Sequence, residues 1–166
     1  MLWGFVKKLV IADNAALIVN KIYAAPDHLS GSTLWMGSFM FALQLYGDFS
    51  GYSDIAIGSA KLFGFRLTKN FNYPYFARSV PEFWRRWHIT LTRWFREYVF
   101  LPMTQGVRSK WRISMNVLFL FVLVGFWHGA SWNFIFYGLL QGLFFLPSLF
   151  TRAVNPVQLL SRVQGK

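Results

Sequence analysis

The sequence contains no cysteine, only six acidic residues, and one stretch of 39 residues, between Arg112 and Arg152, without a single Asp, Glu, Lys or Arg. Each deficit excludes something. Without cysteine there is no disulfide scaffold, no thiolate metal site and no Cys nucleophile. A soluble domain carries about 25% charged residues, whereas this chain of 166 residues carries 14%, with 17 basic residues giving a net charge of +11. Disordered chains are poor in aromatics and low in hydrophobicity, and here 20% of residues are aromatic and 55% hydrophobic. Two classes remain: a membrane protein with basic flanks, or a basic soluble protein with an unusually aromatic core.

The uncharged stretch separates them. At about 1.5 Å per residue, one helix over residues 113–151 would run to nearly 60 Å, roughly twice a bilayer's hydrocarbon thickness. Two spans of about 17 to 20 residues fit better, divided where the small and polar residues Trp127-His128-Gly129-Ala130-Ser131 gather. Residues 113–151 therefore read as a transmembrane hairpin. Arg108, Lys110 and Arg112 precede it and Arg152, Arg162 and Lys166 follow it. Under the positive-inside rule both ends are cytoplasmic and His128 lies toward the far side.

Upstream, residues 1–25 combine helically spaced apolar residues with Lys7, Lys8, Asp13 and Lys21, which predicts an amphipathic helix suited to a membrane surface. Asp13 interrupts the apolar run that a signal peptide requires. Residues 33–64 read as a broken membrane helix pair. The apolar run Leu34 to Tyr46 is too short to span alone and continues through Gly47-Asp48-Phe49-Ser50-Gly51-Tyr52-Ser53-Asp54. That octet is either an interfacial loop or a segment carrying Asp48 or Asp54 into the bilayer, where a carboxylate costs about 2.5 to 3.5 kcal/mol and needs a polar cavity or partner.

Residues 80–101 form the most informative segment. Ser79-Val80-Pro81-Glu82 is a capping box, with the Ser79 hydroxyl accepting from the third helical N–H and Glu82 reaching back to the cap. Pro102 disfavours helix at Leu101, so one helix is expected from Val80 to Phe100. At 100° per residue, Glu82, Arg85, Arg86, Arg93, Arg96 and Glu97 share an arc, and Trp84, Trp87, Leu91, Trp94, Phe95, Tyr98 and Val99 fill the opposite side around His88. An interfacial helix, a nucleic-acid helix and a helix lining an active-site cavity all have this pattern. A nucleic-acid partner leaves the apolar stretch next door unexplained.

His28 lies in a turn-rich loop and needs no function. His88 and His128 each stand alone in an aromatic stretch, where the bland reading is a hydrogen-bonded core imidazole. A membrane setting shifts the balance toward a site, because ionisable groups there mark pathways or chemistry. No HExxH, no clustered carboxylates, no phosphate-cradling loop and no Gly-x-Ser-x-Gly elbow occur. A histidine-only site fits acyl transfer to a hydroxyl, with imidazole taking the hydroxyl proton.

Three segments, Tyr46 to Gly58, Phe83 to Phe95 and Gly125 to Ala130, closely resemble the membrane-bound O-acyltransferase family, and within it the alginate O-acetyltransferase-like branch. Gly4 to Asn14 also resembles that branch, so the likeness covers about residues 3–147. It implies an all-α, polytopic integral membrane fold, with residues 1–166 as a single partial domain of a protein several hundred residues long. The chain is then a fragment of such an enzyme, and the resemblance does not imply that the fragment is active alone. After Phe100-Leu101-Pro102 many relatives have a glycine-rich basic turn, where this chain reads Met103 to Lys110.

The resemblance also implies a site and partners. His128 matches the histidine taken as catalytic and His88 the second motif histidine, with Asp48, Tyr52, Arg85 and Trp127 shaping the cavity or substrate-binding region. There is no metal and no bound cofactor; the acyl donor is acetyl-CoA or another acyl thioester. The acceptor is an exported polysaccharide such as alginate, with membrane lipids and periplasmic or extracellular modification proteins as further partners, no nucleic acid, and a multi-pass location in the inner or plasma membrane. The alternative is a non-catalytic membrane subunit or transporter fragment of a polysaccharide export system.

Overall fold

The structure, a computed structural model, describes residues 1–151, and the basic residues Arg152, Arg162 and Lys166 of the orientation reading lie outside them. Among the described residues there are helices and no strands. The all-helical expectation is therefore met. The chain separates into two compact units, Met1–Asn70 and a second beginning at Phe71.

The first unit is a helical hairpin. One arm is a rod of α1 (Leu2–Phe5), a wider π-helical stretch (Val6–Ala12) and α2 (Asp13–Tyr23), with helical backbone at each junction. The other is α3 (Gly31–Leu62), capped by the Ser30 hydroxyl, which accepts from Thr33 N–H at 3.3 Å. The rod buries Ala12, Ala15, Val19 and Ile22, so part of its apolar face is covered by α3.

The expected broken helix pair over residues 33–64 is instead one uninterrupted helix. Two features remove the need for a loop. Gly47 and Gly51, four apart on one face, let the rod come close: a methyl group on Gly51 would lie 2.8 Å from the Gly4 carbonyl oxygen, and one on Gly47 3.1 Å from that of Lys7. The carboxylates of the polar octet are neutralised by the rod, Asp54 by Lys7 at 2.7 Å and Asp48 by Lys8 at 2.8 Å. Lys8 also pairs with Asp13 at 2.9 Å, and its bonds to Asp48 and then Asp13 hold the ammonium above the ordinary lysine range.

The second unit centres on an antiparallel pair, α7 (Lys110–His128) and α8 (Trp132–Phe145), followed by α9 (Pro147–Phe150). The turn falls at Gly129-Ala130-Ser131, as the clustering of small residues predicts. Lys110–His128 and the continuous stretch Trp132–Phe150 are the two helices among the described residues long and apolar enough to cross a membrane, with mean hydropathy 1.4 each. At 19 residues, each reaches about 28 Å, the thickness of a hydrocarbon core.

Glycine sets the spacing of this pair as well. A methyl group on Gly125 would meet the Phe134 carbonyl oxygen, and one on Gly138 would lie 2.3 Å from that of Phe121. Gly138 and Gly142 form the small-xxx-small spacing that lets helix backbones approach in a bilayer. Around the seam, Phe100, Ile113, Val117, Phe121, Phe145 and Leu149 make the buried core. Trp111, Phe119, Phe126, Trp132, Phe136 and Phe144 remain exposed.

Residues 80–101 depart most from expectation. The capping box forms: Ser79 Oγ accepts from Glu82 N–H at 3.3 Å, and Glu82 reaches back to donor Arg78 N–H at 2.8 Å, one residue before the cap. The single predicted helix, however, is α4 (Val80–Arg86) and α5 (Ile89–Phe95), separated at Trp87–His88. It then widens into a π-helical turn (Arg96–Phe100) and continues as α6 (Leu101–Thr104). Pro102 follows directly on that wide turn, and the helical backbone continues through Leu101 into α6, so Pro102 does not end the helix. The break and the wide turn each reset the helical phase, so the predicted arginine arc is not continuous. Arg96, placed on that arc, is buried and bonded to Glu97 at 2.9 Å.

Candidate active site

The break between α4 and α5 is where His88 sits. Trp87 is extended and His88 adopts the left-handed conformation, φ 40 and ψ 59. For a residue with a side chain this costs on the order of 1 to 3 kcal/mol and persists only where neighbours hold it. The neighbours are identifiable. Asn72 N–H donates to the Arg86 carbonyl at 2.9 Å, and the Thr92 hydroxyl donates to the Trp87 carbonyl at 3.2 Å, so the carbonyls freed by the break stay paired. Thr92 N–H donates to the His88 carbonyl at 3.0 Å and starts α5.

His128 reaches the same place from the other direction. It is the last residue of α7, followed by extended Gly129, where an added methyl group would meet the Phe134 ring at 2.7 Å. Its imidazole stacks on Phe134 with centroids 6.1 Å apart and meets Tyr137 edge-on at 6.2 Å.

Trp127 joins the two histidines. Its ring is 4.9 Å from His128 and 6.5 Å from His88, edge-on to both. Phe71 lies 6.4 Å from His88 and Trp87 5.1 Å from Phe71. Burial first, and the nearby His128 second, push the His88 pKa below its usual 6.5. His88 is therefore neutral at physiological pH and can accept a proton.

Of the other predicted site residues, Arg85 belongs to the second unit and Asp48 and Tyr52 to the first. Arg85 is exposed on α4. Asp48 and Tyr52 belong to the first unit, where Asp48 is committed to Lys8 and Tyr52 is exposed. No group of three or more His, Asp or Glu suited to a metal occurs among the described residues. Arg86, Glu82, Phe71 and Tyr137 are the residues that sequence reasoning missed. Arg86 donates to Glu82 Oε1 at 2.5 Å and to the Tyr73 carbonyl at 3.3 Å. The i, i+4 spacing of Glu82 and Arg86 was the available signal for that pair; nothing local marks Phe71 or Tyr137.

Among the described residues, two apolar helices are long enough to cross a bilayer, and the first ends at a histidine that shares an indole with a second histidine. The chain belongs to the membrane-bound O-acyltransferase family, whose model matches residues 4–163. It is 43% identical over 139 residues to a probable alginate O-acetylase of Azotobacter vinelandii, covering 84% of this chain and 28% of the relative. A peptidoglycan O-acetyltransferase of Helicobacter pylori is 44% identical over 140 residues, 84% of this chain and 27% of the relative. A teichoic acid D-alanyltransferase of Bacillus subtilis is 32% identical over 145 residues, 82% of this chain and 36% of the relative. The chain thus spans between a quarter and two fifths of the length of these curated relatives.

Proposed function

We propose that this chain forms the histidine-bearing part of a multi-pass inner- or plasma-membrane enzyme that transfers an acyl group, acetyl in our reading, from a thioester donor such as acetyl-CoA to hydroxyls of an exported polysaccharide such as alginate. The carrying observation is the convergence of His88 and His128, 40 positions apart, on Trp127 at the end of a bilayer-length helix. The three relatives described above are named for acyl transfer to alginate, peptidoglycan or teichoic acid, which supports a polymer acceptor.

In this reading His128 is the general base. Its imidazole takes the proton as the acceptor oxygen attacks the acyl carbon; the carbon–sulfur bond breaks, and the departing thiolate takes the proton from the imidazolium. His88 assists by orientation or hydrogen bonding. The basic residues before α7 and after the hairpin support a cytoplasmic position for those ends and an exterior one for His128, where, in this reading, modification proteins complete the transfer.

The test uses membranes carrying the intact gene product, labelled acetyl-CoA and de-acetylated alginate. His128→Ala is expected to lower transfer by about 10²- to 10⁴-fold, the usual worth of a positioned base, and His88→Gln to give a smaller but clear loss. Unchanged transfer in His128→Ala at normal protein levels would sink the assignment. Polymer binding without turnover in the wild type would point instead to a non-catalytic subunit.

A further inference from the structure

We infer that Arg86, braced by Glu82, is a positioning residue for the acyl-transfer site: it clamps the segment from Phe71 to Phe76 onto the end of α4 and thereby sets the direction of the His88 imidazole. This rests on the assignment of His88 to that site.

Arg86 grips the segment with both its main chain and its side chain. Its carbonyl, which an unbroken helix would pair with the N–H four residues ahead, accepts from Asn72 N–H at 2.9 Å. Its guanidinium donates through Nη1 to the Tyr73 carbonyl at 3.3 Å. Through Nη2 it donates to Glu82 Oε1 at 2.5 Å, while the other Glu82 oxygen accepts from Arg78 N–H at 2.8 Å. Glu82 thus ties the guanidinium to the first turn of its own helix.

The clamp spans two strained residues. Tyr73 and His88 are the two non-glycine residues with positive φ, 48° and 40°, among those described. Such conformations survive only where several contacts determine them together. Here Arg86 holds the first directly, and its carbonyl bond to Asn72 fixes the turn that leads into the second. The held segment in turn reaches the imidazole: Phe71 meets Trp87 edge-on at 5.1 Å and faces His88 at 6.4 Å, and Tyr75 lies on Phe83 and Trp87 at 6.4 and 6.1 Å.

A forked donor is required for this. A lysine at 86 keeps a charge for Glu82, but its three donors share one nitrogen, which does not span Glu82 and the Tyr73 carbonyl as a planar guanidinium does. Arg85, one residue earlier and exposed, has the same side chain without these bonds.

The experiment is a double-mutant cycle between Arg86→Lys and His88→Gln, in membranes carrying the intact gene product, with labelled acetyl-CoA and de-acetylated alginate. Arg86→Lys is expected to lower kcat about tenfold or more while KM for acetyl-CoA moves less than about threefold, the pattern of a misaimed catalytic group. In the His88→Gln background the same substitution is expected to change kcat less than about twofold, because a residue that acts through His88 has nothing left to act on. Glu82→Gln, isosteric but with one oxygen replaced by NH2, loses one of its two bonds and gives a smaller drop that also vanishes without His88; it serves if Arg86→Lys fails to accumulate. Full additivity in either cycle, or wild-type kcat in both single variants, overturns the positioning role and leaves His88 in the site. Wild-type transfer in both His88→Gln and His128→Ala overturns the histidine site, and this inference with it, whereas absence of any transfer by wild-type membranes overturns the acyl-transfer reading.

Discussion

Gly138→Ala probes the α7–α8 pair most directly. The new methyl group would lie 2.3 Å from the Phe121 carbonyl oxygen, 3.0 Å from its carbonyl carbon and 3.1 Å from Val122 Cα. All three atoms are backbone, so no rotamer change relieves the clash. Restoring an ordinary 3.4 Å contact means parting the helices locally by about 1 Å, and a gap of 0.5 to 1 Å forfeits about a quarter to a half of each dispersion contact across it. Overpacking of this kind costs about 1 to 3 kcal/mol, and a backbone obstacle puts the change at the upper end. Alanine returns about 1 kcal/mol through its better helix propensity. The net loss is about 2 kcal/mol, roughly a thirtyfold change in an equilibrium constant. The assay is a heat challenge of detergent-solubilised protein, following the fraction that stays monodisperse. Gly142→Ala, which meets the movable Leu118 Cδ2 at 3.0 Å, should lose less, and Gly31→Ala, with nothing within 4 Å, should match or exceed wild type. Equal heat resistance for Gly138→Ala and Gly31→Ala would refute the backbone seam.

Two further predictions concern charge. Lys7→Asp should destabilise the first unit by setting a like charge against Asp54, 2.7 Å from the present ammonium, and the exchange Lys7→Asp with Asp54→Lys should restore much of the loss in the same heat assay; a double variant no better than the single one would mean that the pair adds nothing. For His88, a lowered pKa means that the imidazole stays neutral to lower pH than usual. The acid limb of kcat/KM that disappears in His88→Gln should therefore lie below 6.5, with activity lost as pH falls through it; a limb above 6.5 contradicts the buried, His128-facing environment. The same shift makes folding less favourable as pH falls below 6.5, because the unfolded chain binds the proton more readily.

The sequence was most legible where a local rule governs the backbone. The uncharged stretch after Arg112 and the cluster Trp127 to Ser131 place the α7–α8 turn correctly, since length and small residues decide both spans and break. Ser79 and Glu82 cap α4 as their spacing implies. Sequence reasoning failed where distant residues decide. Nothing in Trp87-His88 forbids helix; the break depends on Asn72 and Thr92 taking the freed carbonyls. The polar octet resembles a loop because Asp48 and Asp54 are costly to bury alone, and their lysine partners lie 40 or more positions away. At the candidate site, His88, His128 and Trp127 stand in recognisable motifs, but a helical wheel cannot show that Arg86, rather than its neighbour Arg85, meets the loop at Phe71 to Phe76.

The left-handed backbone at His88 also has a mechanical meaning. A histidine within a helix rides with that helix, and small rotations of neighbouring elements carry it along unchanged. His88 is instead the joint between α4 and α5, so bending one helix against the other turns the imidazole. A load on either helix is thereby converted into a rotation of the His88 imidazole.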